Sequence, residues 1–282
     1  MGKFDRVLFA SDFDHTLSNL KNEVPPENVE AIRYFMAEGG IFTIASGRSI
    51  PMLRQKAGLV PTNAPCIVYN GAACYDYHTE TLEYAQPLTG NAFALVQALR
   101  ERFPEERIEV QTQALHYAYG FDANRDAYLR ANDTPFAYAQ GEIPQPWLKF
   151  AVYGKFHRPM FDAPGEATAA ELTRIAEIEA FGRAFSDGSY TVIRSGARVV
   201  EVFNSQCSKG GAARHLAHRL DRPILACAGD APNDITMLTE ADFAFCPADG
   251  EAEVLTLPGV IPVAPCSGAA VADAIDRLEK LL

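Results

Sequence analysis

The chain opens by alternating short apolar runs with amphipathic stretches. Residues 6–13 (RVLFASDF) form a run rich in Val, Leu and Phe, the pattern of a strand buried on both faces. Pro25 and Pro26 precede residues 27–38, where Val29, Ile32, Phe35 and Met36 recur at helical spacing until Gly39 and Gly40 stop the helix. Residues 41–45 (IFTIA) predict a second strand, 49–57 a short helix, and 66–69 (CIVY) a third strand. Strand, helix, strand, helix, strand at this spacing predicts a parallel sheet with right-handed crossovers. The rhythm returns near the C-terminus, with helices expected over 209–220, 233–239 and 269–282 and strands over 223–227 (PILAC) and 242–245. The two ends together predict one doubly wound, parallel-sheet (Rossmann-like) α/β domain.

The middle has a different texture. Residues 91–102 and 166–177 predict amphipathic helices, and 113–119, 148–153, 190–193 and 199–203 predict isolated strands. Pro135, Gly141, Pro144, Pro146 and Pro159 punctuate the stretch. The expectation is an α+β domain over residues 86–203, inserted into a core made of 1–85 and 204–282. Tyr117, Tyr119, Phe121, Tyr128, Phe136 and Tyr138 make the early part of the insertion aromatic, first of all as its own core.

Composition narrows the function. The formal net charge of −11 is a poor footing for nucleic acid or an anionic membrane surface, so neither partner is expected. It does not exclude an anionic small molecule, because a bound cation reverses the local field. Six cysteines, with no CxxC pair and no zinc spacing, read as reduced, buried small hydrophobes in a reducing compartment. No secretory signal and no apolar run long enough to span a bilayer is visible, so a cytoplasmic protein is expected.

Four polar clusters carry the chemistry. Asp12-Phe13-Asp14-His15-Thr16 places two carboxylates where the first strand ends, which is where ligand crevices form in parallel sheets. Two such acids repel unless a cation or shared proton neutralises them, and Mg2+ suits one or two carboxylates plus phosphate oxygens. Ser46-Gly47-Arg48 follows the second strand with a hydroxyl and backbone N–H groups fit for an anion. Ser208-Lys209-Gly210-Gly211 opens a helix with a lysine that opposes the macrodipole, and so is not there for helix stability. Gly229-Asp230-Ala231-Pro232-Asn233-Asp234 adds acids after the strand PILAC, where a third carboxylate would complete a magnesium site. Each cluster alone has a bland reading as a turn, a cap or a solvated lysine. Their joint placement at predicted core strands and helices does not.

With these four motifs in this order, and Asn70-Gly71-Ala72 after the third strand, the sequence resembles the haloacid dehalogenase superfamily. Within it the chain is similar to the Cof-type phosphatases that carry a large α+β cap. The resemblance implies a Mg2+-dependent phosphatase acting on a small phosphorylated metabolite, sugar phosphates being favoured. Asp12 would be the nucleophile, and Asp14 the acid that protonates the leaving oxygen and then activates water. Ser46 and Lys209 would hold the phosphoryl oxygens. Asp12, the Asp14 carbonyl and Asp230 would ligate the metal, with Asp234 behind them. Phe13, Gly47, Arg48, Asn70 and Asn233 would complete the phosphate site. The chain departs from the family at His15, where glycine is usual. His is among the residues better tolerated at positive φ, and His15 could instead face the cap and touch the leaving group. The alternatives are a phosphomutase or phosphotransferase with the same core, and a non-catalytic protein that binds a phosphorylated metabolite. Arg125, Arg130, Lys155, Arg158, Arg174 and Arg183 are scattered over the insertion rather than clustered for a second phosphate. A monomer or weak homodimer is expected.

Overall fold

The computed structural model describes residues 2–154, 167–195 and 198–282. Lys155, Arg158, Pro159 and the expected helix start at Glu166 lie outside the described residues. In chain order the strands and helices are β1 (Val7–Ser11), α1 (Pro26–Ala37), β2 (Ile41–Ile44), α2 (Ile50–Ala57), β3 (Cys66–Val68), β4 (Ala73–Asp76) and β5 (Thr81–Ala85). There follow α3 (Ala92–Arg102), β6 (Arg107–Gln111), β7 (His116–Tyr119), α4 (Ala123–Ala131), β8 (Phe136–Tyr138), β9 (Lys149–Tyr153) and α5 (Ala169–Phe185). The remainder are β10 (Tyr190–Arg194), β11 (Val199–Asn204), α6 (Lys209–Arg219), β12 (Ile224–Ala228), α7 (Ile235–Glu240), β13 (Phe243–Pro247), α8 (Ala252–Leu255), β14 (Val260–Val263) and α9 (Ala270–Leu281).

The chain divides into two compact units, one of residues 1–48, 56–84 and 207–282, the other of 49–55 and 85–206. The first is built on an all-parallel sheet in the order β14-β13-β12-β1-β2. Its strands are near-continuously apolar because both faces are covered. Leu8, Ala10, Leu225 and Cys227 pack with Ala213, Leu216 and Met237 on the side of α6 and α7. On the other side Phe9 meets Phe35, Phe42 and Phe245 in a group of rings with centroids 5.7–6.1 Å apart. The expected third parallel strand is only partly one. β3 touches the β2 edge through a single parallel bridge, Ala45 to Ile67, and then pairs antiparallel with β4 to begin a small sheet β3-β4-β5. The turn from β3 to β4 runs through Tyr69 and Asn70 at positive φ and Gly71 at φ +95°. A Cβ on Gly71 would lie 2.2 Å from the Ser208 carbonyl oxygen, so this turn packs directly on the start of α6.

The second unit holds a six-stranded sheet in the order β10-β11-β9-β6-β7-β8, antiparallel except for the β7–β8 pair that α4 connects. Ile108, Val110, Phe150, Val152, Val200 and Val202 face α3 and α5 and meet Leu95, Leu99, Ile175 and Ile178 there. The alternate residues Arg107, Glu109, Gln111, His116, Lys149 and Glu201 belong to the opposite face and are buried as well. α4 covers part of that face, since Arg125 donates two bonds to Glu109 and Asp126 accepts one from Arg107. The helix expected over 166–177 starts at Ala169 after a Thr168–Glu171 capping box and continues to Phe185.

No disulfide links the six cysteines, all of which are buried. Among the described residues no helix is long and apolar enough to cross a membrane.

Candidate active site

Three strand ends of the first unit deliver the polar clusters. Asp12 follows β1 directly, and its N–H extends the β1–β12 ladder by donating to the Ala228 carbonyl at 2.8 Å. Asp230 lies two residues beyond β12, and Ser46 two beyond β2. Ser208 caps α6, its hydroxyl accepting the Gly211 N–H at 3.0 Å, so Lys209 is the first residue of that helix.

Lys209 is the junction of the site. Its Nζ donates to Asp12 Oδ1 at 2.6 Å and to Asp234 Oδ1 at 2.7 Å, and all three side chains are buried. The other oxygen of Asp234 accepts the backbone N–H groups of Asp230 and Ala231, each at 3.1 Å. Gly229 makes this turn possible, for a Cβ there would meet the Asp234 Cβ at 2.5 Å. Asp230 Oδ1 accepts the Thr16 hydroxyl at 2.8 Å. Thr16 was legible as part of the first motif, but nothing in the sequence alone tied it to an acid over two hundred positions away.

Ligand oxygens of Asp12, Asp230 and Asp234 all lie within 4.8 Å of one another. Burial and this crowding together show in the proton affinities of Asp12 and Asp230. Burial, and then the neighbouring acids, push the Asp12 carboxyl well above its ordinary range against the pull of Lys209. Burial and Asp234 push Asp230 up to about 7. Lys209 is driven the other way: burial opposes its charge, but Asp12 and Asp234 outweigh burial and hold the ammonium charged. One buried lysine thus faces three carboxylates, an excess of negative charge that a hard divalent cation would balance. Asp12 and Asp230 each keep one oxygen uncommitted among the described residues, so the donor set fits such an ion. Asp234 has both oxygens engaged, which suits it to orient Lys209 and the Asp230 backbone rather than to ligate.

Asp14 stands apart from this group. Its carboxylate accepts a two-pronged bond from Arg48, Nε to Oδ2 at 2.8 Å and Nη2 to Oδ1 at 2.7 Å. Burial favours its neutral form, but the charge and hydrogen bonds of Arg48 prevail and its carboxyl sits below the ordinary value. The acid that gathers with Asp12 and Asp230 is therefore Asp234, not the side chain of Asp14. Ser46 Oγ accepts the Arg48 N–H at 3.1 Å, and its carbonyl accepts the Asn70 N–H at 3.2 Å. Gly47 lies against Asn70, whose Oδ1 would be 2.7 Å from a Cβ at that position. The Phe13 ring is fully buried, leaving only its backbone for a ligand. Asn233 is half-buried in the turn Pro232–Asp234, and among the described residues its side chain bonds to neither Lys209 nor the acids. His15 takes φ +58°, ψ +13° and is exposed, so the position does demand the left-handed conformation that glycine supplies most easily.

The model of the haloacid dehalogenase-like hydrolases matches residues 9–275. The chain belongs to this family. Among curated relatives, phosphatase YwpJ of Bacillus subtilis is 27% identical over 274 residues, covering 83% of this chain and 86% of its own length. YxeH of the same organism is 26% identical over 259 residues, covering 88% and 89%. Among solved structures, a haloacid dehalogenase-like hydrolase from B. subtilis superposes with a TM-score of 0.78 at 20% identity, covering 96% of this chain and 99% of that one. A subclass IIB sugar phosphatase superposes with a TM-score of 0.76 at 15% identity, covering 97% and 98%. At such identities the superpositions speak for the family's fold.

Proposed function

We propose that the chain is a Mg2+-dependent hydrolase of small phosphomonoesters, sugar phosphates being favoured, that passes the phosphoryl group through Asp12. One observation carries this reading: Lys209 bridges Asp12 and Asp234 while the Asp230 carboxylate stands within 4.8 Å of both. Asp12 and Asp230 would hold the metal, which when bound supplies positive charge to the phosphoryl oxygens.

The protein's own groups divide the remaining work. An Asp12 carboxylate oxygen attacks phosphorus and the bond to the leaving oxygen breaks, giving an acyl phosphate on Asp12. The Lys209 ammonium has three protons and commits two to Asp12 and Asp234, so the third can meet a phosphoryl oxygen. The Ser46 hydroxyl and the N–H groups after it would hold another. Asp14 must give a proton to the leaving oxygen and later take one from water. Paired with Arg48 it is ionised, the state that accepts the proton from water. To act first as an acid it must leave Arg48 and pick up a proton, so the Arg48 fork would set which of its two roles is available. The attacking water then cleaves the acyl phosphate, releasing phosphate and restoring Asp12. Buried cysteines outside any disulfide favour the cytoplasm as its place of work.

Phosphate release from a panel of phosphorylated sugars, nucleotides and cofactors tests the reading. Release that requires Mg2+ and is lost in Asp12→Asn is expected. Release that persists in Asp12→Asn would contradict it.

A further inference from the structure

A cleft of about 680 Å3 lies wholly within the second unit, between α3 and the stretch that runs from the end of β7 through the β8–β9 connection. One stripe of α3 forms a wall of it. Phe93, Gln97 and Arg100 recur there at spacings of four and three, which sets Phe93 and Arg100 about 10 Å apart along the helix. The two ends of the stripe differ. At the Phe93 end the lining is apolar: the Phe93 ring meets Trp147 edge-on with centroids 4.7 Å apart, and Ile143, whose carbonyl accepts the Trp147 Nε1–H at 3.3 Å, lies beside them. At the other end the Arg100 guanidinium lies 4.0 Å over the centre of the Tyr119 ring and donates one N–H to Gln97 Oε1 at 3.0 Å.

Arg100 sets the sign of what the cleft attracts. Among the described residues no carboxylate pairs with it, so most of its five N–H groups remain for a ligand. A second hollow of about 400 Å3 continues past Arg100 and Tyr119, but the acid that lines it, Glu106, is already paired with Arg174 at 3.4 Å. Glu142 is the acid of the main cleft; it is exposed and can turn to water. The guanidinium, by contrast, is held at two points, by Gln97 and by the Tyr119 ring, and its fork of N–H groups matches a carboxylate. Phe93 and Trp147 suit a flat ring at the opposite end.

We propose that this cleft is a ligand site for a small aromatic carboxylate, its ring on Phe93 and Trp147 and its carboxylate on Arg100. The site shares no residue with the Asp12 centre and does not depend on the phosphatase reading.

Trp147 is the single tryptophan of the chain, so its emission reports on the apolar end of the cleft. The full chain is titrated with hydrocinnamate, a phenyl ring bearing one carboxylate, and with the alcohol and the amine of the same length. None of the three absorbs at the red edge of tryptophan absorption, and saturation-transfer NMR on the same samples reads binding a second way. Hydrocinnamate should change the Trp147 emission saturably and bind at least roughly 10-fold tighter than the alcohol or the amine, because hydrogen bonds to a charged group exceed neutral ones. Arg100→Gln should bring the acid to within roughly 2-fold of the alcohol. Ala94→Phe, which fills the cleft from α3, should weaken the acid by roughly 10-fold. Both positions are exposed, so neither variant disturbs the core. No binding of hydrocinnamate by either method, equal affinity for acid and amine, or an affinity for the acid unchanged in Arg100→Gln or in Ala94→Phe overturns the proposal.

Discussion

Binding of Mg2+ should weaken steeply below neutral pH, because the metal must displace a proton that burial and the neighbouring acids have placed on the site. Asp230 moves from an ordinary value of 3.8 to about 7 in the metal-free protein. Between those values the folded chain holds a proton that the unfolded chain has lost, so metal-free stability falls as pH rises from about 4 to about 7. The loss amounts to about 4 kcal/mol for this group. A divalent ion needs the carboxylate ionised, so its apparent affinity drops about tenfold for each pH unit below 7, or about 30-fold at pH 5.5. Asp12 shifts in the same direction and adds to the effect. Isothermal calorimetry between pH 5.5 and 8, run in buffers of differing ionisation heat, reads both the dissociation constant and the protons released. About one proton or more per Mg2+ is expected at pH 6, and close to none from Asp230 at pH 8. Affinity that is flat across this range, with no proton released, would refute the argument that burial and neighbouring acids hold this site protonated. Asp230→Asn should lose both the metal and the proton.

Three further perturbations follow from the packing. Lys209→Met leaves Asp12 and Asp234 buried without their cation and should cost about 3–5 kcal/mol at pH 7 in urea unfolding, partly regained near pH 5 as Asp12 protonates. Glu109→Gln strips Arg107 and Arg125 of their shared partner and should cost about as much. Arg125 and the other groups around Glu109 outweigh burial and hold its carboxyl far below the ordinary 4.5, so its contribution is present above that value and lost as pH falls; the variant's stability should therefore change less on acidification than that of wild type. At His15, φ +58° predicts that His15→Ala costs about 1 kcal/mol while His15→Gly costs nothing measurable. If His15 also touches the leaving group, His15→Gly will reorder the substrate panel, and an unchanged order removes that role.

The core strands were legible because each is buried on both faces and reads as an unbroken apolar run, VLFAS and ILACA being the plainest. CIVY has the same composition, yet only Ile67 bridges to the neighbouring strand, since composition does not say where a sheet turns away. β6 was missed although its pattern, RIEVQ, alternates as a strand should. Charged residues at every second position point to a solvated face, and only the fold shows Arg107 and Glu109 neutralising each other in the interior. α4 went unseen for a similar reason: Arg125 and Asp126 are buried by their partners, not by their own hydrophobicity. The stretch 49–55 reads as part of the core domain, but Ser49 bonds to His116 and the stretch groups with the second unit. In the site, the motifs singled out Asp12, Asp230 and Asp234, the acids that the structure brings within 4.8 Å of one another. The Asp14–Arg48 fork and the double engagement of Asp234 depend on side-chain directions that spacing does not carry.

The central claim is that phosphate passes through a covalent bond to Asp12, and acid quenching during turnover tests it most directly. Protein mixed with a 32P-labelled sugar phosphate and Mg2+, then quenched in acid within milliseconds, should retain label. Hydroxylamine should release that label, and peptide mass spectrometry should place it on the segment containing Asp12. Phosphate release at full rate with no label on the protein at any time, or label on a different residue, would contradict the account.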